Sequence, residues 1–521
     1  MKQLTWGLAL AGASALVACG GGGSSDDLPP LQPPPPVVPE RGSLLSQPPV
    51  STLALSAASL QAQLQANAQG QALLRVAGTP RCGVRVYQFE YTTEGSANES
   101  TNATGAIMAP DSTTPECSGP RPVLLYAHGT TTDRNYNLAD LTGSNSAAAE
   151  GQLVMGMFAA QGFVVVAPNY AGYHQSKLSY HPYLHAQQQA GDMQDALSAA
   201  RKAFPALQIN DAGKLLLSGY SQGGYVAMAT HRALQAQGVE VTASAPMSGP
   251  YALSAFGDAL FGGNVNLGAT IFVPMMMTAY QKAYGNLYSA PSDIYEAKYA
   301  AGIEGLLPAT VPTSTLYSQG KLPPTQLFSS TAPAPGLESI TPPTTPAAQA
   351  PLFALGFGAD PLLKNSVRLS YLQDAQMQPD GAVPSLVTGL PPANPNHPIR
   401  QALKANDLRN WTPRSPVLLC GGNGDPTVFY SLNTPVMAAL WSAPSAMAAT
   451  AGRVTVLDVD SAAASAADPF AAVKAGFAQA KAAKAAEGTS ALTQAYHGEL
   501  VPPFCSVAAR SFFQQVLAQG G

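Results

Sequence analysis

The most informative stretch of this chain is LSGYSQGGYVA, residues 217–227, where an apolar run ends in a serine and a helix-compatible run follows. Ser221 has a glycine two residues away on either side, at Gly219 and Gly223. This G-x-S-x-G pattern is typical of a nucleophile elbow, in which a strained strand-to-helix turn lifts the serine hydroxyl clear of a sheet. It also fits an ordinary glycine-rich turn, since the chain has 48 glycines. The rest of the chain must therefore supply what an elbow requires.

Short apolar, β-branched runs recur along the chain and predict buried strands. They lie at 84–92, 104–109, 122–127, 163–167, 214–218, 241–247, 416–420 and 453–458. From the third run onward, helical segments separate them, at 144–160, 183–204, 223–237 and 431–449. This alternation predicts an α/β fold with a doubly wound, mostly parallel sheet. Ser221 follows the fifth run, at the carboxyl end where open α/β sheets bind their ligands.

The loop after the third predicted strand reads His128-Gly129-Thr130. In an elbow fold, the backbone N–H after the nucleophile and an N–H from this loop hold the oxyanion. The predicted oxyanion hole is therefore Gln222 together with Thr130 or Gly129. We interpret His128 as a residue that shapes the loop rather than as a base.

The catalytic base is predicted by elimination among the seven histidines. The order along the chain in this fold is serine, acid, histidine. His231 lies in the helix after the elbow, and His397 precedes the strand expected to carry the acid. His497 follows the last predicted strand, in a loop ahead of a C-terminal helix, and is the predicted base.

The predicted acid is Asp425, in PVLLCGGNGDPTVFY just past the seventh run. Its role would be to hold the imidazole tautomer and stabilise the imidazolium. Asp458 and Asp460, at the end of the eighth run, remain alternatives.

Apart from Cys19, the chain has four cysteines, at 82, 117, 420 and 505. An oxidising compartment favours disulfides, but four cysteines allow three pairings. If Asp425 and His497 meet, Cys420 and Cys505 are brought near each other. We therefore favour the pairs Cys82–Cys117 and Cys420–Cys505.

With these residues in place the chain resembles the α/β-hydrolases, and more narrowly their secretory-lipase (lipase A-like) branch. The resemblance rests on LLYAHGTT, VVVAPNYAGY, HPYL at 181–184, GYSQGG and CGGNGDPTV, and covers roughly residues 80–250 and 412–515. It implies a carboxylic-ester hydrolase with a cap inserted between the sixth and seventh strands. Residues 250–411 occupy that position, between the two parts of the hydrolase core at 51–249 and 412–521.

The predicted cap suggests the kind of substrate. From 259 to 281 it has no charged residue and contains FVPMMMTAY. Adaptable methionines suit an acyl chain or an aromatic ester, although these residues would equally pack the cap onto the body. Residues 323–352 are rich in Pro, Thr and Ala and predict an exposed loop. Residues 51–74 are weakly helical and begin the folded part.

The N-terminus predicts export. Residues 1–19 combine a charged start, a short apolar run and Leu-Val-Ala-Cys, as a secretory signal peptide does. Leu-Val-Ala-Cys resembles a bacterial lipobox, in which Cys19 would be the lipidated residue. The alternative is a plain signal peptide. A Gly/Ser/Pro-rich linker follows at 20–50. We expect a lipid anchor to hold the protein at a bacterial membrane, on the periplasmic or the surface face of the outer membrane. The alternative is a secreted protein.

Composition narrows the function further. A net charge of −4 with only 11% charged residues gives no basis for nucleic-acid binding, and no ligand spacing predicts a metal or other cofactor. The leading hypothesis is a serine esterase acting on a small-molecule or polymeric ester. A serine peptidase of the prolyl-oligopeptidase type is the second, although residues 20–80 are too short for its propeller. A non-hydrolytic binding lipoprotein is the third.

Overall fold

The structure, a computed structural model, describes residues 40–465 and 467–520. The predicted signal peptide, Cys19 and the linker as far as residue 39 lie outside the described residues. The described strands are β1 (Val50–Leu55), β2 (Gly83–Glu94), β3 (Ser100–Asp111), β4 (Arg121–Ala127), β5 (Val164–Pro168), β6 (Asp211–Tyr220), β7 (Ala243–Met247), β8 (Phe328–Ser329), β9 (Phe357–Gly358), β10 (Val417–Gly421) and β11 (Val454–Asp458).

Nine of these strands form one sheet in the order β1-β2-β3-β5-β4-β6-β7-β10-β11. The strands β5, β4, β6, β7, β10 and β11 run parallel, and β1 to β3 form an antiparallel extension. Strands such as β5, whose five residues are all buried, read as continuous apolar runs because helices cover the parallel part of the sheet. The predicted α/β fold is confirmed.

The helices fall into those of the body and those of the insertion. The helices of the body are α1 (Ala57–Gln65), α2 (Ala68–Ala77), α3 (Ala148–Met157), α4 (Ala186–Ala203), α5 (Gln222–Ala236), α13 (Tyr430–Ser442), α14 (Pro444–Thr450), α15 (Ala471–Ala485), α16 (Thr489–Ala495) and α17 (Val501–Ala518). The helices between β7 and β10 are α6 (Leu253–Phe261), α7 (Ala269–Tyr284), α8 (Ala297–Ala300), α9 (Thr313–Ser318), α10 (Ala350–Ala354), α11 (Asn365–Met377) and α12 (Pro398–Ala405). The insertion therefore lies at the predicted position in the chain.

The register of the sheet brings the ends of three strands together. Tyr220 at the end of β6 pairs with Met247 of β7, and Met247 pairs with Cys420 of β10. The Ser221 N–H also donates to the Met247 carbonyl, at 3.0 Å. The segments that follow β6 and β10 therefore leave the sheet at the same carboxyl edge.

Two boundaries at the start of the body differ from prediction. Residues 50–55 form an edge strand that pairs antiparallel with β2, and helices begin only at Ala57. The predicted linker also ends earlier than residue 50, because the Gly42 and Leu45 N–H groups donate to β2 carbonyls. A composition rich in Pro, Gly and Ser is compatible with an edge strand, so it did not reveal these backbone bonds.

The Pro/Thr/Ala-rich stretch at 323–352 is not simply an exposed loop. It contains β8, which pairs with β9, and the buried residues Phe328 and Thr341. The guanidinium of Arg368 on α11 donates to the Ile340 carbonyl and to Thr341 Oγ1. The buried Arg368 therefore holds residues 340–341, which lie in the irregular part of this stretch between β8 and α10.

Both favoured disulfides are present, with Cα–Cα distances of 5.6 Å for Cys82–Cys117 and 5.7 Å for Cys420–Cys505. The second joins the end of β10 to α17. Within residues 40–465 and 467–520, no helix is long and apolar enough to cross a membrane.

Candidate active site

Ser221 occupies a strained turn between β6 and α5. Its φ of 60° and ψ of −122° lie where non-glycine residues are rarely found. The two flanking glycines allow the turn to pack closely. A Cβ on Gly223 would lie 1.9 Å from the Ala127 carbonyl oxygen, and one on Gly219 would lie 2.5 Å from the same atom. This is the geometry of a nucleophile elbow.

A chain of hydrogen bonds runs from Ser221 to Asp425 through His497. Ser221 Oγ lies 2.8 Å from His497 Nε2, and His497 Nδ1 lies 2.6 Å from Asp425 Oδ2. The three side chains come from positions far apart in the chain, after β6, after β10 and before α17. An imidazole held in this way accepts the serine proton at Nε2 while its Nδ1–H faces the carboxylate.

Asp425 is held by the turn that carries it. Its Oδ1 accepts the N–H groups of Thr427 and Val428, at 2.9 and 3.0 Å, which leaves Oδ2 for His497. The two alternative acids bind elsewhere. Asp458 accepts the side-chain amide of Asn423, and Asp460 accepts Lys481 and the Tyr496 hydroxyl. The structure brings neither of them to the histidine.

His497 lies in a π-helical turn, Tyr496–Leu500, and not in the predicted loop. In this register the Val501 N–H bonds to the Tyr496 carbonyl, so the next donor in line for the His497 carbonyl would be residue 502. That residue is Pro502, which has no N–H. The Tyr220 hydroxyl donates to the free carbonyl instead, at 2.5 Å.

Tyr220 is therefore a site residue that the motif did not single out. It is the residue before the nucleophile, and it ties the backbone of His497 to the elbow. Burial raises the pKa of the Tyr220 hydroxyl well above its usual value of 10, so the group stays protonated and able to donate.

Of the three predicted oxyanion donors, two have a backbone N–H that is available and one has a backbone N–H that is already hydrogen-bonded. Gln222 is the first residue of α5, where backbone N–H groups and the helix dipole favour an anion. The Gly129 N–H donates to Glu150 Oε1 at 3.0 Å, so Gly129 is not an available donor. The Thr130 N–H has no acceptor among residues 40–465 and 467–520. Thr130 and Gln222 thus remain as the candidate pair.

Bonds from outside the oxyanion loop hold it in place. Tyr170 donates its hydroxyl to the His128 carbonyl, and Tyr173 donates to the Thr131 carbonyl, at 3.1 and 2.8 Å. The His128 ring is buried and lies 2.6 Å from the Gly129 carbonyl oxygen. Burial lowers the pKa of His128, and the ring makes no bond to Ser221. This agrees with the interpretation of His128 as a shaping residue.

Glu150 on α3 is a second residue that sequence reasoning missed. Its carboxylate accepts Tyr126 OH, Tyr136 OH and the Gly129 N–H, at 2.9, 2.7 and 3.0 Å. Nothing in the sequence near Glu150 marks it, because its partners lie in separate segments.

Ser221, Gln222 and residues of the insertion line an apolar pocket, and the empty space there, with the open solvent at its mouth counted in, is about 610 Å³. Its walls are two helical stripes with the spacing i, i+3, i+4, i+7. The stripes are Leu253, Phe256, Gly257 and Leu260 on α6, and Ala269, Phe272, Val273 and Met276 on α7. No charged side chain lines this pocket.

The methionine run divides between two roles. Met276 lines the pocket, whereas Met275 and Met277 are buried in the core with 3% and 0% exposure. The run therefore contributes both to a pocket wall and to the core, because a helix turns consecutive side chains to different faces. The acyl or aromatic substrate stays a prediction.

No group of three or more His, Cys, Asp or Glu side chains arranged to hold a metal ion occurs in the described part of the chain. What this arrangement can do is nucleophilic attack by a serine, with proton transfer through an imidazole and two backbone donors for the resulting oxyanion.

Comparison with known proteins agrees with this architecture. The model of the prolyl oligopeptidase family matches residues 151–239. The rice cell wall degrading esterase LipA from Xanthomonas oryzae aligns at 26% identity, over 92% of this chain and 99% of its own, with a TM-score of 0.63. A Legionella pneumophila protein at 18% identity covers 92% of this chain and 99% of its own with a TM-score of 0.60, a likeness of fold alone.

Candida antarctica lipase A aligns at 13% identity over 80% of this chain and 76% of its own, with a TM-score of 0.43. The secretory-lipase branch stays a prediction from the sequence motifs. No curated protein matches the chain. The chain therefore has the α/β-hydrolase fold, and the matched segment and the 26% identical esterase support a hydrolase.

Proposed function

We propose that this chain is a serine carboxylic-ester hydrolase that acts on esters with an apolar acyl or aromatic group. The observation that carries the proposal is the hydrogen-bonded chain Ser221–His497–Asp425, whose serine lines an apolar pocket. A nucleophile that lines such a pocket attacks a carbonyl whose apolar substituent is buried in it.

The reaction follows from the atoms in place. Ser221 Oγ attacks the ester carbonyl while His497 Nε2 takes its proton. The Gln222 and Thr130 N–H groups receive the negative charge that forms on the carbonyl oxygen. His497 then gives the proton to the leaving alkoxide, which leaves the acyl group on Ser221 Oγ. Water next attacks the acyl carbonyl while His497 Nε2 takes its proton, and that proton passes to Ser221 Oγ as the carboxylic acid is released.

Two observations favour esters over peptides. The pocket has no charged side chain that would bind a peptide terminus. The 26% identical neighbour that covers nearly all of the chain is an esterase. The prolyl-oligopeptidase match supports a peptidase as the second candidate, but it spans only residues 151–239, from α3 to just past α5, where the elbow is common to both classes.

The test compares p-nitrophenyl esters from acetate to palmitate with p-nitroanilide peptides. Ser221→Ala should lower ester turnover by about 10⁴-fold or more. Ser218→Ala is the matched control, because Ser218 lies on the same strand and bonds to the Ala245 carbonyl instead of His497. Turnover of the peptides alone, or ester turnover that survives in Ser221→Ala, would refute the proposal.

The choice of acid has its own comparison. Asp425→Asn should lower kcat by about 10⁴-fold, since the histidine loses the partner that fixes its tautomer. Asp460→Asn, which removes a carboxylate that binds Lys481 and Tyr496, should cost far less. The reverse order would reassign the acid.

We also propose that Cys19 anchors the enzyme to a bacterial membrane, with the Gly/Ser/Pro-rich linker as a spacer. The support is the Leu-Val-Ala-Cys motif and the linker that follows it directly. Expression of the full chain and of Cys19→Ala, followed by detergent partitioning and mass measurement of the N-terminus, tests this. A wild type without acyl mass would refute lipidation.

A further inference from the structure

His181 forms a hydrogen bond with the side chain of Gln222. The backbone N–H of the same glutamine is a candidate oxyanion donor. Gln222 Nε2 donates to His181 Nε2 at 2.6 Å, and Gln189 Nε2 approaches the same atom at 3.3 Å. Both Gln222 and His181 are buried, with 1% and 2% exposure. His181 itself does not reach Ser221, whose bond is to His497.

The imidazole of His181 is oriented by its surroundings. Its Nδ1–H donates to the Ala171 carbonyl at 2.9 Å, which leaves the Nε2 lone pair to accept from Gln222. Burial lowers the pKa of His181 to about 3, so the ring stays neutral at the pH values where a histidine base works. The rings of Tyr170 and Tyr173 lie 5.6 and 4.6 Å from it, centroid to centroid.

Two residues further on, Tyr183 contacts the other candidate donor. Its hydroxyl lies 3.0 Å from Thr130 Oγ1. The end of this segment is anchored too, because the hydroxyls of Tyr225 and Tyr280 both donate to the Leu184 carbonyl, each at 3.0 Å. One short segment after β5 therefore touches the side chains of both residues whose N–H groups are the candidate oxyanion donors.

We propose that the segment His181-Pro182-Tyr183 positions both halves of the oxyanion hole, His181 through the Gln222 side chain and Tyr183 through the Thr130 hydroxyl. His181 and Tyr183 are positioning residues in this proposal, because each acts through another side chain; Tyr183 also lines the pocket together with Ser221 and Gln222. The inference rests on the proposed esterase function.

The physical reason is that donors act only when they are fixed at the place where charge develops. Loss of one oxyanion donor typically costs about 10²–10³ in kcat. A donor that remains present but is free to move should cost less, and the loss should appear in the transition state rather than in substrate binding.

The experiment uses His181→Phe, which keeps a ring but removes Nε2, and Gln222→Met, which keeps the backbone N–H but removes the amide. Each should lower kcat by about 10- to 100-fold with KM within about twofold. The double variant should lose no more than the larger single effect, because both remove the same bond. Tyr183→Phe and Thr130→Val should behave in the same way, with losses of about three- to tenfold.

The matched control is His231→Phe. His231 is also a buried histidine whose pKa is lowered to about 3, and its Nδ1 bonds to Ser244 Oγ instead of an oxyanion residue. It should leave kcat within about twofold. A trifluoromethyl ketone of the preferred chain length, which forms the tetrahedral adduct, should lose affinity in proportion to kcat/KM in the His181, Gln222 and Tyr183 variants.

Three results would overturn the inference: a kcat of His181→Phe equal to that of His231→Phe, additive losses in the double variant, or ketone affinity that does not follow kcat/KM. If His181→Phe does not fold, Gln222→Met and the Tyr183–Thr130 pair decide the question on their own. A wild type without ester turnover would instead refute the proposed function.

Discussion

The disulfide Cys420–Cys505 should serve the reaction as well as the fold, whereas Cys82–Cys117 should serve the fold alone. Asp425 lies five residues after Cys420, and His497 lies eight residues before Cys505. The bond therefore ties together the two segments that carry the acid and the base. The other disulfide joins the start of β2 to the loop after β3, and none of the candidate catalytic residues lies between its cysteines.

The expected loss of stability is similar for the two bonds. They close loops with sequence separations of 35 and 85 residues. The chain-entropy relation gives about 4 kcal/mol for the shorter loop and about 5 kcal/mol for the longer one, a difference of less than about 1 kcal/mol. All four cysteines are buried, so replacing either pair by alanine adds a comparable packing loss.

The assay pairs denaturant unfolding with kcat/KM at 25 °C, under conditions where each variant is folded. Cys420→Ala/Cys505→Ala should lose about tenfold in kcat/KM, because a displacement of about 1 Å in a catalytic group can cost 10²-fold and the Tyr220 bond still holds His497. Cys82→Ala/Cys117→Ala should keep kcat/KM within about twofold. Equal activity losses in the two pairs, or none in the first, would refute this reasoning.

Three further changes test other parts of the molecule. Met276→Trp should shorten the preferred acyl chain by filling the pocket, while Met275→Leu should leave the preference unchanged because Met275 is in the core; a p-nitrophenyl ester series measures both. Gly223→Ala should give no folded protein by circular dichroism, since its Cβ would lie 1.9 Å from the Ala127 carbonyl oxygen. Burial raises the pKa of Asp192 from 3.8 to about 6. The protonated carboxyl of Asp192 therefore contributes about 3 kcal/mol to the free energy of unfolding below pH 4, and this contribution is lost as the pH rises through 6. Asp192→Asn should abolish that part of the pH dependence in unfolding titrations, and an unchanged profile would contradict it.

The candidate catalytic residues could be predicted because their order along the chain is a property of the fold. Once the alternating strands place Ser221 at a strand end, the order serine, acid, histidine favours a histidine late in the sequence, and His497 follows by elimination. The supporting residues follow no such rule. Glu150 and His181 act through atoms in distant segments, so no local pattern marks them. The segment HPYL at 181–184 contributes to the family resemblance, but its sequence indicates no role for His181 or Tyr183.

The local sequence does explain, in retrospect, why Tyr220 can bond to the His497 carbonyl. The π-helical turn that carries His497 runs into Pro502, and the missing N–H frees the His497 carbonyl for Tyr220. A proline five residues after a candidate base is visible in the sequence. The acceptor that it frees, and the tyrosine that uses it, become visible only when α17 and the elbow are placed beside each other.

The periodicity of apolar residues on α6 and α7 does not by itself predict that these residues line a pocket. The stripes on α6 and α7 share the spacing i, i+3, i+4, i+7, which the sequence contains in full. The same spacing describes any helix that packs one apolar face against a core, and Met275 and Met277 do so on the same helix as Met276. A stripe forms a pocket wall when the stripe opposite lies too far away to contact it, and it forms a core face when the two stripes are in contact. That distance is set by the connection between α6 and α7 and by the position of both over Ser221, so it belongs to the tertiary structure. Chain-length preference should therefore respond to volume at the pocket-lining positions of these stripes and not to the overall apolarity of the cap.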